Sequence, residues 1–313
     1  MTLQGFKIKC LILFVAIFFV SKSSLVRAQD LEPRAYSNTP VGLNFLIAGY
    51  IYQEGSVLFD PAIQLENAHI QVHGPVLAYA RSIDFGGISG KIDVIIPFAW
   101  LSGSADFQGQ QLTRNVEGFA DPRVRITVNF IGAPALPLSG FKNYKQNLVV
   151  GASLQINLPF SQYDPERLVN IGTNRFTFKP EIGASKKFGP LFMELAVGAS
   201  FYTVDHEFYQ GNSLSLSPIG YIQGHVIYNF RSGIWAAIDG TYYWGGRPSV
   251  NGAEGNAMQK NTRLGLTFAL PLNIHNSLKL YLSTGVSTRT GSDFNTIGIA
   301  WQYRWGRDLL KRK

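Results

Sequence analysis

Asn147-Leu148-Val149-Val150-Gly151-Ala152-Ser153-Leu154-Gln155-Ile156-Asn157-Leu158-Pro159 changes character at every second residue. Leu148, Val150, Ala152, Leu154, Ile156 and Leu158 form one set, and Val149, Gly151, Ser153, Gln155 and Asn157 the other. Successive side chains of a strand point to opposite faces, so this period of two predicts a strand with one apolar and one mostly polar face. Val124, Ile126, Val128 and Phe130 stand in the same way against Arg123, Arg125, Thr127 and Asn129, and Leu264, Leu266, Phe268 and Leu270 against Arg263, Gly265, Thr267 and Ala269. Ile297, Ile299, Trp301, Tyr303 and Trp305 repeat the pattern with an aromatic bias that suits a membrane–water interface.

Working outward, twelve such segments are expected near 42–52, 66–82, 88–101, 119–131, 146–158, 174–188, 190–202, 217–230, 233–244, 259–270, 277–287 and 295–305. Pro75 interrupts the second, where its missing N–H weakens a ladder. Short connections such as Phe85-Gly86-Gly87 and Phe188-Gly189-Pro190 are interleaved with longer stretches at 53–65, 102–118, 159–173, 203–216, 245–258 and 288–294. That rhythm predicts an all-β fold, a transmembrane antiparallel β-barrel of about twelve strands in an up-and-down meander, with short periplasmic turns and long outside loops. The stretch 132–145 breaks the rhythm, since it is long where a short turn is due.

Composition agrees. Only 15% of residues are charged, while aromatics reach 13% and glycines number 32. The one long apolar run, Cys10 to Val20, is well short of the roughly 20 residues of a spanning helix. It follows Lys7 and Lys9 and precedes Val26-Arg27-Ala28, so residues 1–28 are expected to be a cleaved signal peptide. The formal charge of +8 falls to +4 without Lys7, Lys9, Lys22 and Arg27, and much of the remainder sits in the basic tail 306–313, so no nucleic-acid footprint is left. The domain plan is then 1–28 signal, 29–41 leading segment, 42–305 barrel and 306–313 tail, with the outer membrane as destination and the export and barrel-assembly machinery as partners.

Placing Lys or Arg on the lipid face costs about 2 to 4 kcal/mol at mid-membrane, so charge in the strands belongs in the lumen. Alternation places Lys91, Asp93, Arg123, Arg125, Lys179, Glu181, Lys187, Glu194, Asp239, Arg263, Lys279 and Arg304 inside, with Tyr50, Tyr221, Tyr243 and Tyr281. Two roles are open to this set: a mildly cationic solute path favouring anionic or polarisable compounds, or a network that pairs across strands and plugs the lumen. Arg34 and Tyr36 of the leading segment are expected to narrow the mouth further. Twelve strands also imply a narrow pore, between the filled eight-stranded and the open sixteen-stranded barrels.

No catalytic constellation stands out, so an enzyme is not expected. His206-Glu207 opens like a zinc-protease helix, but Gln210 occupies the second ligand's place. His69 and His73 share a strand face without a third ligand in sequence, and no metal or other cofactor is expected.

Asp30-Leu31-Glu32-Pro33-Arg34-Ala35-Tyr36-Ser37-Asn38-Thr39-Pro40-Val41-Gly42-Leu43-Asn44-Phe45 resembles the start of a family of outer-membrane transporters labelled "MetA-pathway of phenol degradation". Asp121-Pro122-Arg123-Val124-Arg125, Ile131-Gly132-Ala133-Pro134-Ala135-Leu136, Trp244-Gly245-Gly246-Arg247, Ser283-Thr284-Gly285-Val286-Ser287 and Trp301-Gln302-Tyr303-Arg304-Trp305 are similar to later blocks of that family. The resemblance implies an outer-membrane barrel with lipid around it and a small, aromatic or hydrophobic, solute passing through. The alternative is a structural or surface-recognition barrel whose outer loops bind a partner without transport.

Overall fold

The computed structural model describes residues 32–58, 65–107, 109–230, 233–256, 258–289 and 291–306. The proposed signal peptide and nearly all of the basic tail lie outside them. Thirteen strands form the main sheet: β1 (Asn44–Leu58), β2 (Leu65–Asp84), β3 (Ser89–Phe107), β4 (Gln110–Phe119), β5 (Arg123–Ile131), β6 (Leu148–Asn157), β7 (Thr177–Phe188), β8 (Leu191–Tyr202), β11 (Ile219–Asn229), β12 (Trp235–Gly245), β15 (Gln259–Pro271), β16 (Asn276–Ser287) and β17 (Gly291–Trp305). Each pairs antiparallel with its neighbours, β1 closes on β17, and β4 and β5 share one place beside β3. The result is a closed barrel of twelve staves.

Large apolar side chains on the outer face remain uncovered: Ile238 is 61% exposed and Leu195 55%, with Ile182, Ile297 and Leu264 close behind. A water-soluble barrel buries its apolar residues inside, whereas here the buried inward residues include Asp93, Glu194, Asp239 and Arg263. Only lipid around the wall accounts for that inversion.

Several expected loops prove to be wall. β1 continues to Leu58, β3 to Phe107 and β17 starts at Gly291, while β4 occupies most of the expected loop 102–118. Parts of 203–216 and 245–258 pair as a separate four-stranded sheet, β9 (Asp205–Phe208), β10 (Asn212–Leu216), β13 (Pro248–Val250) and β14 (Ala253–Glu254), at the long-loop end. These segments lie beyond the lipid zone, where both faces meet water and alternation fades although the ladder persists. The stretch 132–145 does lie at the short-turn end: Ser89 N–H donates to Ala133 O, and Val41 N–H to Leu136 O.

The ladder is broken at two neighbouring places. Between β2 and β3 the register passes from His73↔Trp100 to Val76↔Pro97, skipping Gly74 and Pro75. Both prolines lack an N–H to donate, and Gly74 lies so close to the Phe98 carbonyl that a Cβ would stand 2.0 Å from its oxygen. In the shared stave, Ala120-Asp121-Pro122 separates β4 from β5; β5 pairs with β6, whereas the outer edge of β4 pairs with no strand among the described residues.

Candidate functional site

All twelve charged strand residues predicted for the lumen fall on the inward face by register. Asp93 faces Arg125, Lys91 faces the buried Thr127, and Lys279 faces the buried Ala300 and Ala269. Tyr50 does not. It pairs with Ile299, which faces lipid, and its hydroxyl contacts His73 Nδ1 at 2.7 Å on the same outer surface. His69 and His73 are both on that surface, and His206 and Glu207 lie on a strand; the described residues contain no cluster of three potential metal ligands.

The middle of the lumen is filled by polar pairing around the leading segment. Arg125 bridges Asp93 (3.1 Å) and Glu32 (2.5 Å). Burial would raise the Glu32 carboxyl, but the Arg125 and Lys91 cations outweigh it and hold Glu32 well below the usual carboxylate range. Arg34 donates its backbone N–H to Glu194 (2.7 Å), bonds Asn229 through its guanidinium and stacks 4.7 Å over Trp235. Tyr36, 1% exposed, donates to Glu181 (2.7 Å), as do Tyr221 (2.8 Å) and Gln223 (3.0 Å). Its ring lies on Gly151 and Gly183, where any Cβ would come within 3 Å of it. Lys179 sits over the Tyr221 ring, Tyr243 packs beside it, and Lys279 lies over Tyr281. Asp239 accepts from Thr267 (2.9 Å) and pairs with His225 (2.7 Å), an inward residue not among those the sequence singled out. Arg263 reaches Ser283, and Lys187 and Arg304 lie towards the short-turn end, over Phe192 and against Ile274 O. Many of the inward charges are thus paired across strands, and Arg34 and Tyr36 are among the residues that fill the middle of the lumen, here called the plug.

Above the plug, towards the long loops, the lumen changes chemistry. A cavity of about 500 Å³ is bounded on the barrel side by Ile51, Ile70, Val72, Val76, Ala99 and Leu101, which occupy inward positions of β1 to β3. Phe294, Phe208 and Leu214 add to it, and Leu168, Val169 and Ile171 enter it from the connection between β6 and β7. That connection is a lid tied at both ends to Asp205, which is 2% exposed: Tyr163 O–H donates to Asp205 Oδ2 (2.8 Å) and Asn174 Nδ2 to Oδ1 (2.9 Å). Arg114 donates to Val169 O at 3.2 Å, and Thr173 donates to Asp121 at the kink between β4 and β5. Arg175 also lines the cavity, its guanidinium 4.8 Å from the Tyr202 ring centre. Burial pulls Arg175 down from its ordinary value, opposed by Tyr202 and Asp205. Sequence reasoning missed Asp205 because it sits in a stretch expected to be an outside loop, 203–216, and passed over Arg175, which lies at the start of the strand expected near 174–188 and was not counted among the inward charges.

The wall beside this cavity is where the ladder breaks. Gly74, Pro97 and Ala120 line it, and the strip between β4 and β6 is closed only by the chain leaving β6, with Gln162 N–H donating to Phe119 O (3.2 Å). Phe119 (57% exposed) and Phe160 (67%) flank that strip on the lipid side.

A family model described as "Putative MetA-pathway of phenol degradation" matches residues 61–303. The chain belongs to that family. An outer membrane channel from Pseudomonas putida F1 superposes on this family member with a TM-score of 0.75 at 15% identity, covering 88% of this chain and 100% of that one. The transport unit of the autotransporter AIDA-I from Escherichia coli gives 0.51 at 8% identity, covering 88% and 93%. Likeness at such identities shows the outer-membrane barrel fold that the family member shares with both. Among curated proteins none matches the sequence.

Proposed function

We propose that this protein is an outer-membrane channel for small apolar compounds, aromatic ones included, which enter the upper cavity from outside and leave sideways through the wall between β4 and residues 158–163. The observation that carries this is the reversal of lumen chemistry. Barrel interiors in the outer membrane are ordinarily polar, yet here the inward face of β1 to β3 beside the cavity presents Ile51, Ile70, Val72, Val76 and Leu101, with Phe294, Phe208 and Leu214 adding to it. A descent along the axis would meet the desolvated charge pairs of the plug, where an apolar solute gains nothing and displaces hydrogen bonds. Sideways exit leads instead through the strip between β4 and β6, where among the described residues no strand-to-strand ladder closes the wall beside the cavity. In this reading the short turns face the periplasm, lipid surrounds the outer face, and residues 1–28 direct export and are removed.

Val72→Lys tests it directly. Val72 lies inward between Gln53 and Leu101, so an ammonium there adds a second, desolvated cation to the cavity that already holds Arg175. Entry of toluene into proteoliposomes is expected to fall at least tenfold while heat-modifiable gel mobility still reports a folded barrel; unchanged entry by a folded variant would remove the cavity from the path.

A further inference from the structure

Within the apolar cavity one cation has no counterpart. The guanidinium of Arg175 lies against Tyr202, and its Nε and Nη1 are buried without a hydrogen-bond acceptor. Among the described residues it forms no ion pair. Of the nearby acids, Asp205 accepts from Tyr163, Asn174 and the Glu207 N–H, and Asp121 accepts from Thr173 at Oδ2 while its Oδ1 is buried without a donor; neither accepts from the Arg175 Nε or Nη1. A stacked arginine presents the edges of its plane for hydrogen bonding, and buried donors left unsatisfied cost free energy that a ligand oxygen recovers. The cavity as a whole, about 500 Å³, has the size of a small-molecule site, and its Ile51, Ile70, Val72, Val76, Leu101 and Phe294 offer contact to a hydrocarbon body.

Resting on the channel reading, we infer that the cavity selects solutes with an apolar body and a single carboxylate head, such as a small aromatic acid, and that Arg175 is the residue that recognises the head. Asp205 tempers the local field, its oxygens already accepting from three donors. Selectivity thus comes from one directed, charge-assisted contact beside the apolar wall of β1 to β3, and losing such a contact discriminates strongly.

The test is equilibrium binding of 4-ethylbenzoate and ethylbenzene to the detergent-purified full-length protein at pH 7, by calorimetric titration, with proteoliposome entry of both probes measured in parallel. Wild type is expected to bind the acid more tightly than the hydrocarbon. Arg175→Met should weaken the acid at least tenfold and change the hydrocarbon less than twofold, and Arg175→Lys should fall between, each variant retaining heat-modifiable mobility. An acid-to-hydrocarbon ratio that Arg175→Met leaves unchanged overturns the inference, as does a wild type with no preference. Arg175-dependent binding without entry of either probe would overturn the channel reading and leave the acid site standing; entry of both without an Arg175 effect would do the reverse.

Discussion

Replacing Arg125 with alanine is expected to loosen the plug and raise the conductance of the protein in planar bilayers severalfold. The guanidinium is the shared partner of Glu32, on the leading segment, and Asp93, on β3. Removing one member of a buried pair leaves an uncompensated charge, which costs about 3 to 5 kcal/mol. Asp93, with a side chain 8% exposed, bears most of that cost; Glu32, at 35%, is partly relieved by solvent, so the lower end of the range applies. The pH dependence should reverse sign between the two proteins. In wild type the Glu32 carboxyl is held well below 4.5, so its contribution is fully present above that pH and is lost only as pH falls through the depressed value. The plug therefore stays seated at pH 5. In the variant Glu32 and Asp93 repel one another at neutral pH, and acid that protonates them should partly reseat the segment. A variant with wild-type conductance at every pH would show that Arg34 and Tyr36 hold the segment without help from Glu32.

The barrel was legible from the sequence wherever lipid enforces alternation, as in β5, β6, β15 and the second half of β17. Tyr50 shows where that signal fails. Around it Ala48-Gly49-Tyr50-Ile51-Tyr52 is apolar on both faces, so periodicity does not say which side is out, and the side is set only by pairing with β17, which sends Gly49 inward with Ala300. The cause is the cavity: Ile51 lines it and Tyr52 faces outward, so both sides of the strand demand the same kind of residue. Ile70, Val72 and Val76 mask β2 in the same way. The plug was half legible, because inward charges could be listed but not matched; Glu32, Arg34 and Tyr36 come from outside the alternating segments, and the partners they take are distant in sequence. Lid residues Leu168, Val169 and Ile171 carry no periodic signal at all; the hold of Asp205 on Tyr163 and Asn174, of Arg114 on Val169 O and of Asp121 on Thr173 brings them over the cavity.

Sideways release makes the lid's attachment to the wall the step that must open, and a reversible covalent tie there should have the largest effect on transport. Thr173 donates to Asp121 through both its backbone N–H (3.0 Å) and its hydroxyl (2.9 Å), joining the lid to the kink between β4 and β5. A disulfide needs Cβ atoms about 3.5 to 4.5 Å apart, so a bridge here requires the two segments to stay in close contact, and its formation is confirmed before transport is measured. The only cysteine of the chain, Cys10, lies in the proposed signal segment, so Asp121→Cys combined with Thr173→Cys would form its bridge without competition. Oxidised, the double variant is expected to lose at least nine-tenths of toluene entry into proteoliposomes. Reduced, it should recover to wild-type entry or beyond, because the Asp121–Thr173 hydrogen bonds that ordinarily restrain the lid are then gone. Each single cysteine variant, treated with the same oxidant, should show no such loss. Entry that persists undiminished with the bridge shown to be complete would place the exit elsewhere. The second break in the ladder, at Gly74 and Pro75 between β2 and β3, would then be the remaining way through the wall beside the cavity, and a bridge from β2 to β3 across that break would become the deciding variant.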